Sequence, residues 1–251
     1  MPDRFSPIGV FDSGVGGISV LGELRRTLPR EDFLYFGDNL HAPYGTKPEQ
    51  EVLGYVRGVM DYLIAQDVKA VVIACNTATS VAAATLRAEL DLPIIGMEPA
   101  LKPAAEQRRG GQILVLATPM TLRLPKFQAL YQRYGEGAHP LPCPGLMDLV
   151  EQQAFDQARR YLQEHFLAYD LSQVDAVVLG CTHYVFLRPI LQEILPPHVL
   201  ILDGNAGTAR QLARVLEQRD LLSDRGGSLR LETSGDPAQI RPLMETLLAR
   251  A

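Results

Sequence analysis

Apolar residues occur along this chain in two rhythms, short unbroken runs and longer stretches at helical spacing, and the two alternate from end to end. Runs at 8–11, 33–36, 68–75, 93–97, 112–117, 174–181, 199–202 and 229–232 read as strands, the cysteine-ended ones buried on both faces. Helices are expected up to about residue 28, over 52–64, 82–90, 149–168 and 206–217, and from Pro237 onward. Thr46-Lys47-Pro48-Glu49 has the capping-box pattern ahead of the second of these. Strand alternating with helix predicts parallel sheets joined by right-handed crossovers.

The pattern also repeats. Val68 to Thr77 aligns without gaps on Val174 to His183, an offset of 106 residues with five of ten positions identical. Ile8 and Ile113 are related by 105, and Gly37-Asp38 falls near the loop Leu141-Pro142-Cys143-Pro144 under the same offset. Two similar α/β domains follow, each a mostly parallel sheet flanked by helices, with an active site in the cleft between them. Residues 1–98 with 205–251 are expected to form the first, and 99–204 the second, inserted between.

Both copies end on a cysteine followed by hydroxyl or amide residues, Cys75-Asn76-Thr77 and Cys181-Thr182-His183. A free cysteine behind a Val/Ile run is ordinarily a small buried hydrophobe. Two of them at equivalent strand ends, where α/β sheets bind ligands, point to chemistry instead. Residues after each cysteine are expected to open a helix whose positive end favours a thiolate. Cys143, between two prolines, reads as structural. Asp12, His183 and Glu151 can tune the thiols, although each also has an ordinary role as cap, core hydrogen-bonder or solvated helix residue.

Other chemistries fit less well. Gly14-Val15-Gly16-Gly17 follows a strand, but Ser19 stands where a dinucleotide fingerprint needs its third glycine, and Asp12 puts negative charge beside the pyrophosphate position. No Cys/His set of structural-zinc spacing accompanies Cys181 and His183, so no metal is expected. A net charge of −5 over 251 residues, without a basic cluster, gives no support to nucleic-acid binding. No apolar run reaches transmembrane length, and no signal-peptide stretch opens the chain, so a cytosolic protein with reduced thiols is expected.

Taken together, Gly9 to Gly17, Gly37-Asp38 with Pro43-Tyr44-Gly45, Ala74 to Thr79, Glu98-Pro99, Ala117 to Thr121, Gly180 to Tyr184 and Thr233 to Asp236 resemble the glutamate racemases. These are cofactor-independent members of the aspartate/glutamate racemase superfamily, and the resemblance spans nearly the whole chain. It implies interconversion of L- and D-glutamate for peptidoglycan synthesis, without pyridoxal phosphate or metal. Cys75 would handle the α-proton of D-glutamate with help from Asp12, and Cys181 that of L-glutamate with help from His183 and Glu151; Asp38 is a weaker candidate. Asp12, Ser13, Tyr44, Gly45, Asn76, Thr77, Thr121, Thr182 and His183 match substrate-holding positions. Some members are dimers, which raises the expectation of a homodimer. The chain departs from the family pattern at Val185-Phe186, Leu122 to Pro125 and Asp203-Gly204-Asn205. An aspartate racemase, a non-catalytic amino-acid-binding regulator and a nucleotide-dependent oxidoreductase remain as alternatives.

Overall fold

The computed structural model describes residues 2–251. Its backbone contacts divide the chain into two compact units, one running up to Met97 and resuming at Asn205–Ala251, the other Glu98–Gly204.

The first unit begins β1 (Ile8–Asp12), α1 (Ile18–Thr27), β2 (Phe33–Gly37), α2 (Glu49–Ala65), β3 (Ala70–Ile73), α3 (Asn76–Glu89) and β4 (Ile94–Gly96). The second contains α4 (Leu101–Gln107), β5 (Gln112–Ala117), α5 (Pro119–Arg123), α6 (Pro125–Tyr134), β6 (Ala138–Pro142), α7 (Leu146–Glu151), α8 (Phe155–Phe166), β7 (Val174–Leu179), α9 (Arg188–Ile194) and β8 (Leu200–Asp203). The chain then returns to the first unit as α10 (Asn205–Gln218), β9 (Leu229–Thr233) and α11 (Pro237–Leu248). Two parallel sheets flanked by helices result, the class the alternating pattern predicts.

The sequence repeat reappears as a repeat of topology. Strand order is β4-β3-β1-β2-β9 in one sheet and β6-β5-β7-β8 in the other, so β2-β1-β3-β4 corresponds to β6-β5-β7-β8. Register follows the same offsets: Ile8 pairs with Phe33 and Ala70, and Ile113 with Ala138 and Ala176. In each sheet the chain steps outward from the first strand and then crosses back over it. Such a reversal opens a crevice at the carboxyl ends of the two strands beside it. Those strands are β1 and β3 in one unit, β5 and β7 in the other.

Local departures from the sequence expectation have definable causes. Strand β6 replaces an expected loop at Leu141-Pro142. Its Pro140 lacks an amide donor, which an edge strand tolerates, and β6 is an edge. The single helix expected over 149–168 is two helices. Gln153 takes a left-handed φ of 55°, its N–H donates to Val150 O (3.0 Å), and Ala154 N–H donates to Leu149 O (2.8 Å). This is a Schellman stop, usually built on glycine. Thr46 does not cap α2; its hydroxyl donates to Pro43 O (3.2 Å) within a 3-10 turn over Tyr44–Thr46, and Pro48 occupies the N-cap. The expected helix at 82–90 begins earlier, directly after Cys75.

At the ends of the strands away from the cysteines, Lys69 and Glu31 form a fully buried ion pair (2.5 Å), and Lys69 Nζ also donates to Arg4 O (2.5 Å). It ties the entry of β3 to that of β2, on either side of β1. Lys69→Met strands a buried carboxylate, so the unfolding free energy in urea titrations is expected to fall by about 3–5 kcal/mol.

Candidate active site

The loop after β1 folds back over the strand ends because Gly17 has no side chain. A Cβ there would lie 2.7 Å from Asp12 Cβ and 3.0 Å from Ala74 Cβ. Asp12, fully buried, accepts from Gly14 N–H (2.7 Å), and Ser13 Oγ lies 3.7 Å from Cys75 Sγ. Cys75 is itself the N-cap of α3, and its sulfur accepts from Ala78 N–H at 3.4 Å. A thiol in that position faces the positive end of a 14-residue helix, which favours the thiolate. It is 7% exposed, shielded yet reachable.

Beside it, Asn76 is 5% exposed, and neither its amide oxygen nor its amide nitrogen has a partner. An unpaired buried amide costs stability unless something else satisfies it, which leaves the Asn76 amide available to a ligand. Thr77 is buried next to it. Tyr44 belongs to the same buried cluster as Cys75, and its hydroxyl donates to Asp38 Oδ2 (2.6 Å). Burial first, and then the Asp38 hydrogen bond and charge, hold its phenol above the usual range, so it stays neutral. Gly45 follows in the same half-buried turn.

The second unit arms its thiol differently. Cys181 precedes a 3-10 helix, Thr182–Leu187, where an α-helix was expected, and its side chain accepts no capping amide. Instead Cys181 Sγ lies 3.7 Å from His183 Nδ1, and His183 Nε2 lies 2.9 Å from Glu151 Oε1. Burial alone would lower the imidazole pKa; the hydrogen bonds to Cys181 and Glu151, reinforced by their charges, outweigh it and raise it well above the ordinary value. Both neighbours therefore favour the protonated imidazole beside the sulfur. Glu151 is delivered by the Schellman stop, being the last residue of α7.

Thr121 is buried in α5, directly after β5, with Thr118 Oγ1 donating to its hydroxyl (2.9 Å) while accepting its N–H (3.2 Å). Thr118 caps α5 ahead of Pro119, a pairing legible in sequence but not singled out as a site residue. Thr182 is also buried. Burial, with the nearby Cys181 adding to it, pushes the Cys143 thiol up to about 12. It donates to Leu141 O (3.4 Å), as a structural residue would. In the first unit Ser13 and Tyr44 pack with Cys75, and Asp12, Asn76 and Thr77 are buried at the neighbouring strand and helix ends, while in the second His183 and Glu151 form a chain to Cys181; Thr121 and Thr182 are buried in the second unit, and Gly45 follows Tyr44. Among the described residues no group of three or more His, Cys, Asp and Glu stands together as metal ligands would, and no helix is long and apolar enough to cross a membrane.

The profile of the Asp/Glu/Hydantoin racemase family matches residues 8–212. The chain belongs to that family. It is 50% identical over 222 residues to a glutamate racemase of Clostridium botulinum, covering 87% of this chain and 86% of the relative. It is 49% identical over 254 residues to one of Bifidobacterium adolescentis, covering 98% of both. The crystal structure of glutamate racemase from Thermus thermophilus in complex with beta-chloro-D-alanine superposes with a TM-score of 0.82, at 39% identity, over 98% of this chain and 94% of that one. As a family member the chain is an amino-acid racemase, an isomerase.

Glu151→Gln removes one of the two groups that raise the His183 pKa, so that pKa falls. A raised pKa keeps the imidazolium present until the pH climbs through it, and lowering it brings that loss to lower pH. The alkaline limb of the kcat/KM profile is therefore expected to move to lower pH in Glu151→Gln, as read by racemisation rates across pH. An unmoved limb would remove His183 as the titrating group.

Proposed function

We propose that this chain interconverts L- and D-glutamate by a cofactor-independent, two-base proton transfer between Cys75 and Cys181, with its two units as the domains of one enzyme. One observation carries the reading: the thiols stand at corresponding strand ends of two repeated sheets, Cys75 accepting a helix amide and Cys181 in contact with His183.

The chemistry follows from the α-proton being far less acidic than a thiol, whose ordinary pKa is about 8.5. From L-glutamate, the Cys181 thiolate takes the α-proton, breaking C–H and forming S–H, and the Cys75 thiol gives its proton to the opposite face. From D-glutamate the roles exchange. Afterwards the thiols are left in inverted protonation states, and proton exchange with solvent resets them. Asp12 serves the Cys75 side, while the imidazolium of His183, backed by Glu151, serves Cys181. The free amide of Asn76, with Thr77 and Thr182, supplies hydrogen bonds to the substrate carboxylate as charge develops on it. Ser13, Tyr44, Gly45 and Thr121 complete the holding set. The names of the relatives at 49% and 50% identity support glutamate as substrate. The wider reading places the enzyme in the cytoplasm, as a homodimer, supplying D-glutamate to peptidoglycan synthesis.

The test is the decay of the circular dichroism signal of L- or D-glutamate with purified protein and no added cofactor, with aspartate alongside. Glutamate is expected to racemise and aspartate to persist. Cys75→Ser and Cys181→Ser should each lose activity by about 10³-fold or more, the scale of removing a positioned base. Near-wild-type turnover in either variant would refute the two-thiol mechanism, and inert glutamate would favour a binding protein.

A further inference from the structure

The Asp38 carboxylate is buried, yet three side chains converge on it, two from its own loop and one from the far end of the chain. Tyr44 donates to Oδ2 at 2.6 Å, Ser234 Oγ donates to Oδ1 at 2.7 Å, and His41 Nδ1 lies 2.9 Å from Oδ1. With acceptors occupied in this way, Asp38 is built to fix its neighbours and not to shuttle a substrate proton. Ser234 comes from the returning tail, 196 residues away, just after β9. Its hydroxyl is used twice, because it also accepts from Leu40 N–H at 3.0 Å. It thereby fastens both the carboxylate and the 3-10 turn Asn39–His41 that leads toward Tyr44. Strand β9 brings it there: Gly37 pairs with Thr233, and Ser234 N–H donates to Gly37 O (3.0 Å).

We propose that Ser234 is a positioning residue of the Cys75 half-site, holding Asp38 and, through Asp38, setting where the Tyr44 hydroxyl stands. The inference rests on the reading of Tyr44 as a substrate-holding group. Once its proton is committed to Asp38, the Tyr44 oxygen turns only lone pairs toward a ligand, and its position depends on the carboxylate's. Ser234 is in this respect part of the site, although it lies beyond the stretch 8–212 matched by the family profile. Thr233, the preceding residue and the last of β9, provides an internal control. Its hydroxyl donates to Asn39 Oδ1 (2.8 Å) and accepts from Gly235 N–H (3.0 Å) instead of binding Asp38.

Losing a hydrogen bond to a charged group is worth about tenfold in binding. Ser234→Ala is therefore expected to raise KM for both enantiomers of glutamate about tenfold, with kcat held within about twofold. Ser234→Thr, which keeps the hydroxyl, should restore KM, and Thr233→Val should leave it near wild type. In an Asp38→Asn background Ser234→Ala should add nothing further, since both changes break one linkage. Amide hydrogen exchange over residues 39–46, read without substrate, should quicken in Ser234→Ala more than in Thr233→Val. An unchanged KM in Ser234→Ala, failure of Ser234→Thr to restore it, or an equal rise in Thr233→Val would overturn the proposal. Should the wild-type protein fail to racemise glutamate, the functional reading falls by itself, and the exchange measurement decides this inference alone: equal protection in both variants defeats it.

Discussion

A parallel sheet whose chain steps outward and then crosses back must part its connections beside the central strand, and everything at this protein's site depends on that geometry. The reversal exposes the carboxyl ends of β1 and β3 in one unit and of β5 and β7 in the other. Strand ends are rigid because the strands behind them are buried: all of β1 and β3, and all but the first residue of β5, lie in the interior. Reactive groups placed there inherit the stiffness of the core. The loops around them are correspondingly tight, and Gly17 is where that tightness leaves no room even for a methyl group.

The same scaffold arms its two thiols by different physics. Cys75 uses backbone, a capping amide and the aligned peptides of a full α-helix. Cys181 precedes a 3-10 helix and accepts no capping amide, and relies on side chains: an imidazole in contact with the sulfur and a carboxylate in contact with the imidazole. A duplicated frame with unequal activation suits a reaction whose two half-steps act on mirror-image substrates. On the proposed mechanism each thiol is the base in one direction and the acid in the other.

Much of the frame was legible in sequence because buried parallel strands need branched apolar runs, and both cysteine boxes carry one. The offset of 105 to 106 residues proved to be an offset of register as well. Features that were missed depend on context that local pattern does not encode. Strand β6, with His139, Pro140 and Pro142, has no strand rhythm, and its neighbour β5 imposes the extended form. The break between α7 and α8 falls on Gln153, a residue that seldom takes a left-handed φ, and that break is what brings Glu151 to the end of a helix near His183. The partners of Asp38 were equally hidden, since Ser234 reaches it only after the chain has traversed the second unit. Asn76 was legible as a residue type; that its amide is buried and unpaired was visible only in three dimensions.

On the proposed mechanism the proton leaving the substrate and the proton arriving on the product ride on different sulfurs. This is tested most directly by starting wild-type enzyme on protiated L-glutamate in deuterated water and resolving both enantiomers at early turnover. Two bases predict that the D-glutamate formed carries deuterium at the α-carbon while the remaining L-glutamate keeps its hydrogen. D-glutamate that retains the original hydrogen, or L-glutamate that deuterates as fast as product appears, would mean that one group serves both faces, and the account given for Cys75 and Cys181 would be wrong.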